Sequence, residues 1–155
     1  MIRPTTSDDT AAILTLAVAS GLFPPEATDD VAAVLRGSLA GENGPDHVWL
    51  TDDDIGPVGV AYYAPERMTD GTWNLYMLAV HPDRQRQGRG AALVRHVERE
   101  LSTRGARVLL IETSGLAAFE RTRAFYRALG YDEEARIREF YKAGDDKVVF
   151  RKALA

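Results

Sequence analysis

The chain has 155 residues, a net charge of −4 and no cysteine, with 45% hydrophobic and 27% charged residues. Such a length can bury a real core, and the lack of cysteine excludes disulfides, thiolate zinc sites and cysteine nucleophiles. No stretch approaches the roughly 20 apolar residues of a membrane span, MIRPTTSDDT lacks the apolar run of a signal peptide, and the negative charge argues against nucleic acid. One cytoplasmic domain over 1–155, with no membrane or nucleic-acid partner, is the expectation.

A first helix is expected after Ser7, a good N-cap, with Leu14, Ala17 and Val18 facing inward. LFPPEATDD interrupts the chain, and a second helix carries Val31, Val34, Leu35 and Leu39 at helical spacing until AGENGPD ends it. HVWLT and PVGVAYYA read as strands separated by an acidic Gly-Pro turn. In GTWNLYMLAV, alternation places Trp73, Leu75, Met77 and Ala79 on one face and Asn74, Tyr76, Leu78 and Val80 on the other. A helix starting at Gly90 buries Leu93, Val94, Val97 and Leu101, and ARVLLIET is apolar enough for a strand covered on both faces. LAAFERTRAFYRALG reads as a helix closed by Gly130. ARIREFYKAGDDKVVFRK reads as two strands joined by a Gly-Asp-Asp turn. This order predicts an α/β (α+β) fold, a mixed, mostly antiparallel sheet flanked by about four helices.

Between the third of these strands and the helix that follows lies HPDRQRQGRG, with Arg84, Arg86 and Arg89 around Gly88 and Gly90. A helix N-terminus carries roughly half a positive charge and unclaimed amides. Glycine permits close approach and positive φ. Together these suit a pyrophosphate. The spacing fits neither a P-loop nor a dinucleotide-binding turn, and a solvated basic turn is the competing reading.

Gln85-x-x-Gly88-x-Gly90, preceded by LAVHP and followed by an apolar helix, resembles the coenzyme A-binding signature of the GNAT superfamily of N-acetyltransferases. FYRALGY resembles the late tyrosine-bearing segment of the same family, with Tyr126 in the tyrosine position, and the element order is also that family's. The resemblance implies acetyl-CoA as cofactor. It implies that the backbone of Gln85, Arg86, Gln87, Gly88, Arg89, Gly90 and Ala91 holds the pyrophosphate. The main chain of Leu78, Ala79 and Val80 would pair with pantetheine, and the Leu78 amide would point at the thioester carbonyl.

Acetyl transfer to an amine then needs an oxyanion donor, an acid for the leaving thiolate and a base for the amine. The resemblance gives the first to the Leu78 amide, freed if the strand bulges there, and the second to Tyr126, whose phenol is protonated at neutral pH. Packing as a helix aromatic beside Phe125 is the plainer role for Tyr126. Where many relatives carry a glutamate this chain has Asn74, which can hold a water but cannot be a base. Glu112 is the best carboxylate candidate, against an ordinary strand-end charge. Phe119 stands where many relatives place a cofactor-binding asparagine, and it can pack on pantetheine without replacing that hydrogen bond. Asn74, Tyr76 and Tyr141 are candidates for the acceptor pocket, with Asp145 and Asp146 either beside them or merely in a hairpin turn. His81 is expected in a turn, and three scattered histidines make no metal site.

The leading expectation is an acetyl-CoA-dependent N-acetyltransferase acting on a small-molecule or peptide amine, a small cationic amine being favoured. A non-catalytic acyl-CoA-binding or regulatory module is the alternative, favoured by Asn74 and opposed by the retained Tyr126. Exposed tail strands make a homodimer an expectation.

Overall fold

In the computed structural model, which describes residues 1–154, the elements follow the expected order. Ala155, the last residue of the expected 1–155 span, lies outside the described residues. β1 (Ile2–Pro4) leads through a 3-10 turn (Ser7–Asp9) to α1 (Thr10–Ala19) and α2 (Thr28–Leu39). β2 (Val48–Asp53), β3 (Pro57–Pro65) and β4 (Thr72–Val80) follow, then α3 (Arg89–Thr103), β5 (Val108–Ser114) and α4 (Glu120–Ala128), and β6 (Asp132–Lys142) and β7 (Asp145–Ala153) end the series. Among the described residues the strand order is β1-β2-β3-β4-β5-β7-β6. β1/β2, β2/β3, β5/β7 and β6/β7 pair antiparallel and β4/β5 parallel, the arrangement of a mixed, mostly antiparallel α/β fold. No helix among the described residues is long and apolar enough to cross a membrane. The chain divides into two compact units, Met1–Ala64 with Tyr76–Glu100, and Pro65–Leu75 with Leu101–Ala155.

In the first unit, Asp9 rather than Ser7 organises the helix start. Its Oδ2 accepts from the Thr6 amide at 2.9 Å, and its two oxygens take Arg3 Nη1 and Nη2 at 2.8 and 2.9 Å. The Arg3 guanidinium, above all, holds the Asp9 carboxyl at about 2. α1 buries Ile13, Leu16 and Ala17 and leaves Leu14 and Val18 half-buried, so its inward stripe is rotated from the expected one. α2 buries Ala32, Leu35, Gly37 and Ser38, and Val34 is exposed: Leu35 and Leu39, not the valine, meet the core. That core joins Ile13, Leu16 and Leu35 to Trp49, Val60, Tyr62 and Ala79, with Met77 packed against it. The Tyr76 ring lies 5.6 Å from that of Tyr62. Tyr76 and Ala79 therefore approach the same cluster from positions that a regular strand would send to opposite faces. The alternation expected along β4 breaks between them, as it does at a bulge.

In the second unit, β5 buries Leu109, Ile111 and Thr113 on one face and Ser114 on the other, where Val108, Leu110 and Glu112 are half-buried, so the cover expected on both faces is complete on one and partial on the other. Its apolar run extends to both faces, since Val108 and Leu110 share the second face with Glu112 and Ser114. α4 ends as expected. Gly130 at φ 91° donates its amide to Arg127, and the Tyr131 amide reaches the Tyr126 carbonyl at 3.1 Å, a Schellman closure. The β6–β7 turn is Ala143–Gly144, between the paired Lys142 and Asp145, so the aspartates begin β7 instead of forming the turn. Every residue of β6 is exposed.

Candidate functional site

The turn after β4 opens with His81, whose Nδ1 accepts from the Asp83 amide at 3.2 Å, the turn role expected of it. Gln85 Nε2 donates to the Val80 carbonyl at 3.0 Å and ties the turn back to the strand. Arg86 and Gly88 both take positive φ, 61° and 77°, so Arg86 adopts a conformation that only glycine adopts without cost. Gly90 lies inside α3 and needs no such freedom. The Ala92 amide donates to the Gly88 carbonyl at 3.0 Å, which makes the amides of Arg89, Gly90 and Ala91 the leading, ladder-free donors of α3. These donors and the helix dipole fit a pyrophosphate.

The arginines do not make the electropositive patch expected of them. Arg89 Nη1 and Nη2 reach Asp52 Oδ2 at 2.9 Å and Asp54 Oδ2 at 2.7 Å, and Arg84 Nη2 is paired with the same Asp54 oxygen. Two of the three guanidinium charges are thus answered by carboxylates at the end of β2. Arg86 is exposed and forms no ion pair among the described residues. Guanidinium groups beside a row of aspartates find closer partners than solvent, and the turn is braced rather than charged.

In the second unit a polar array lies across three strands. The registers Asn74↔Leu110 and Ser114↔Lys147 put Asn74, Glu112 and Lys147 on one face of β4, β5 and β7. Asn74 is fully buried, and its Nδ2 donates to Glu66 Oε1 at 2.9 Å and to Glu112 Oε1 at 3.1 Å. Lys147 Nζ sits 3.0 Å from Glu112 Oε1 and 4.1 Å from the centroid of the Phe140 ring. Tyr141 is half-exposed. Burial first, then the negative Glu112 and Asp145, push its phenol up to about 12. Asn74, Glu112 and Tyr141, predicted separately, thus share one region. Asp145 and Asp146 each have a partner of their own. Asp145 is buried against the Ser114 hydroxyl, and Asp146 is held by Arg136 and the Glu139 amide.

Tyr126 is also buried, its ring 5.3, 6.2 and 5.7 Å from those of Phe125, Tyr131 and Phe150, and burial raises its phenol. It therefore meets both readings, a packed aromatic and a hydroxyl protonated at neutral pH. Phe119 is half-buried at the start of α4. Leu78 is half-buried in the interrupted part of β4. Glu66, Lys147, Asp52 and Asp54 were not singled out by the sequence. The acidic run at 52–54 was visible, but nothing in it pointed to Arg84 and Arg89.

The Acetyltransferase (GNAT) domain profile matches residues 44–133. A [Ribosomal protein bS18]-alanine N-acetyltransferase of Escherichia coli K12 is 40% identical over 75 residues, which cover 47% of this chain and 48% of that protein. The chain thus spans about half the length of the curated relatives it matches. A crystal structure from Desulfovibrio desulfuricans, assigned to the GNAT-family acetyltransferases, superposes with a TM-score of 0.92 at 32% identity over 100% of this chain and 99% of that one. An aminoglycoside 6'-N-acetyltransferase complexed with coenzyme A shares the fold, with a TM-score of 0.79 at 16% identity over 100% and 97% of the two chains. With the braced glycine turn at the head of α3 and a profile match over more than half of its length, the chain belongs to the GNAT acetyltransferase family.

Proposed function

We propose that the protein is an acetyl-CoA-dependent N-acetyltransferase that acylates a primary amine. The observation that carries this reading is the ladder-free amide group of Arg89, Gly90 and Ala91 beyond the left-handed Gly88, a cradle for a pyrophosphate. Gln85, Arg86 and Gln87 border that cradle, and Leu78, Ala79, Val80 and Phe119 contact the pantetheine arm. Acetyl-CoA supplies an acetyl group activated as a thioester.

The chain's own groups then have separable tasks. Glu112 takes a proton from the acceptor ammonium, which at a pKa near 10.4 is overwhelmingly charged at pH 7. With acetyl-CoA bound, the Leu78 amide would donate to the carbonyl oxygen while the freed nitrogen forms the C–N bond, displaces the thiolate and sheds its second proton, which through solvent restores the phenol at Tyr126. Tyr126 gives its proton to the departing sulfur, and burial, which favours the neutral phenol, keeps that proton in place until then. Asn74, Tyr76 and Tyr141 line the acceptor. The Glu66 and Glu112 carboxylates gathered around Asn74, with the Tyr141 ring near Glu112, favour a small cationic amine. The reading carries with it one working domain over 1–155, which a family match drawing on both units supports, and a cytoplasmic location. The exposed β6 edge supports a second copy of the chain as a partner.

Thiol release from acetyl-CoA, followed with an aminoglycoside, an alanine-terminated hexapeptide and free lysine as acceptors, tests the proposal. Acceptor-dependent release with at least one of them is expected. Coenzyme A binding without release across the panel would instead indicate the non-catalytic module.

A further inference from the structure

Resting on the reading of Glu112 as the base, we infer that Asn74 and Lys147 are positioning residues that immobilise one oxygen of Glu112 and assign proton acceptance to the other. Both hydrogen-bond partners converge on the same atom. Asn74 Nδ2 lies 3.1 Å and Lys147 Nζ 3.0 Å from Glu112 Oε1, and Oε2 has no partner among the described residues. An oxygen whose two lone-pair sites are both taken, as those of Oε1 are, would have to break a bond before accepting a proton. Here Oε2 keeps its lone pairs, and the Glu112 side chain remains about a quarter exposed, 26%, so an ammonium can reach it.

The anchor is itself anchored. The second N–H of Asn74 goes to Glu66 Oε1, so turning the amide over would set its oxygen against two carboxylates at once. That fixes the amide plane and, through it, Oε1 of Glu112. Lys147 is confined between the Phe140 ring and Glu112 with only 13% of its side chain exposed, which makes it a stationary donor rather than a wandering surface ammonium. The groups around Glu112 on neighbouring strands and loops are therefore Glu66, Asn74, Lys147 and Tyr141, with Asp145 acting on Tyr141. An asparagine in the position where many relatives place the base is, on this account, not a lost catalyst but the holder of one on the adjacent strand.

Two measurements test the inference. The first needs no acceptor. In a 1H–15N spectrum, the Asn74 side-chain amide pair, identified by its loss in Asn74→Ala, should have one proton moved by Glu112→Gln and the other by Glu66→Gln. An amide pair indifferent to Glu112→Gln would overturn the inference. The second measures turnover under saturating acetyl-CoA with the hexapeptide or the aminoglycoside, whichever releases more thiol. Lys147→Met should lower kcat roughly 10- to 100-fold while the acceptor KM stays within about threefold, the signature of a misplaced group rather than a lost binding contact, and Asn74→Ala should lower kcat by a similar factor. Lys147→Arg should restore most of the rate. Lys147, unlike Asn74, is not fully buried, so its variants remain informative if Asn74→Ala folds poorly. Full turnover in Lys147→Met beside an impaired Glu112→Gln would overturn the positioning role alone. Full turnover in Glu112→Gln would overturn the base assignment beneath it.

Discussion

At the head of α3 the groups offered to a ligand are main-chain amides, held by a left-handed glycine and braced by side chains that turn away to Asp52 and Asp54. On the face carrying Glu112 the polar atoms belong to side chains from the β3–β4 connection, β4, β5 and β7. The two regions solve different problems. A phosphate moiety is the same in every reaction of an acetyl-CoA enzyme, and backbone geometry can meet it with little dependence on side-chain identity. An acceptor amine has to be both recognised and deprotonated, which requires charges whose positions only particular side chains provide. Damage to the first region should therefore appear in cofactor affinity, and damage to the second in turnover.

The sharpest break of that division is Tyr126→Phe. The ring is packed among Phe125, Tyr131 and Phe150, and phenylalanine retains that packing, so melting temperature and coenzyme A affinity should hold. Turnover should fall by about 10- to 10⁴-fold if the phenol delivers the proton to sulfur. An unchanged kcat would leave the tyrosine the task its carbonyl already performs, closing α4 onto Tyr131.

The converse variant is Gly88→Val. A Cβ there meets nothing within 4 Å, so the effect is conformational rather than steric, a β-branched residue at φ 77°. Left-handed backbone costs such a residue about 1–2 kcal/mol. The free protein can relieve that strain by letting the turn relax, and binding must then restore it, so calorimetry should show a coenzyme A Kd raised about tenfold with kcat at saturation nearly unchanged. A variant impaired in kcat but not in Kd would dissolve the separation of the two regions.

The same contrast explains what could be read from the chain unaided. A backbone site leaves a local record: Gly88 and Gly90 at fixed spacing ahead of an apolar helix announced the turn, and Gly130 announced the end of α4. The array around Glu112 leaves none, because Glu66, Asn74, Glu112 and Lys147 are far apart in sequence and meet only through the β4–β5 and β5–β7 registers. Glu112 could be singled out as a carboxylate beside the expected cleft. That Asn74 would hold it, and that Lys147 would lie against Phe140, follows from pairing that no local pattern encodes. Periodicity also failed where the backbone departs from it, since Tyr76 and Ala79 of β4 approach one core cluster despite their spacing. The neutralised arginines are the clearest case. Arg84 and Arg89 looked like a charged invitation to an anion until the strand end carrying Asp52 and Asp54 folded against them.

Whether those ion pairs matter for their charge or for their geometry can be decided with Asp54→Asn, the smallest of the expected effects. Asp54 Oδ2 takes Arg89 Nη2 at 2.7 Å and is paired with Arg84 as well, while Asp52 keeps its own bond to Arg89 at 2.9 Å. The substitution therefore releases charge without freeing the whole turn. A unit charge uncovered about 10 Å from a phosphate group in water is worth about 0.4 kcal/mol. If charge is what the aspartate suppresses, the coenzyme A Kd should fall about two- to threefold at low ionic strength. That gain should vanish near 0.5 M salt, where the screening length is only about 4 Å. If the aspartate instead keeps the turn in shape, its loss should raise Kd at every salt concentration, because the amides of Arg89, Gly90 and Ala91 would no longer be presented in advance. Titration at two ionic strengths separates the outcomes. The structure favours the second, since one carboxylate oxygen gripping two guanidinium groups from positions 84 and 89 closes the loop between them. A Kd that rises equally at both salt concentrations would mean that even the side chains of this region serve the backbone.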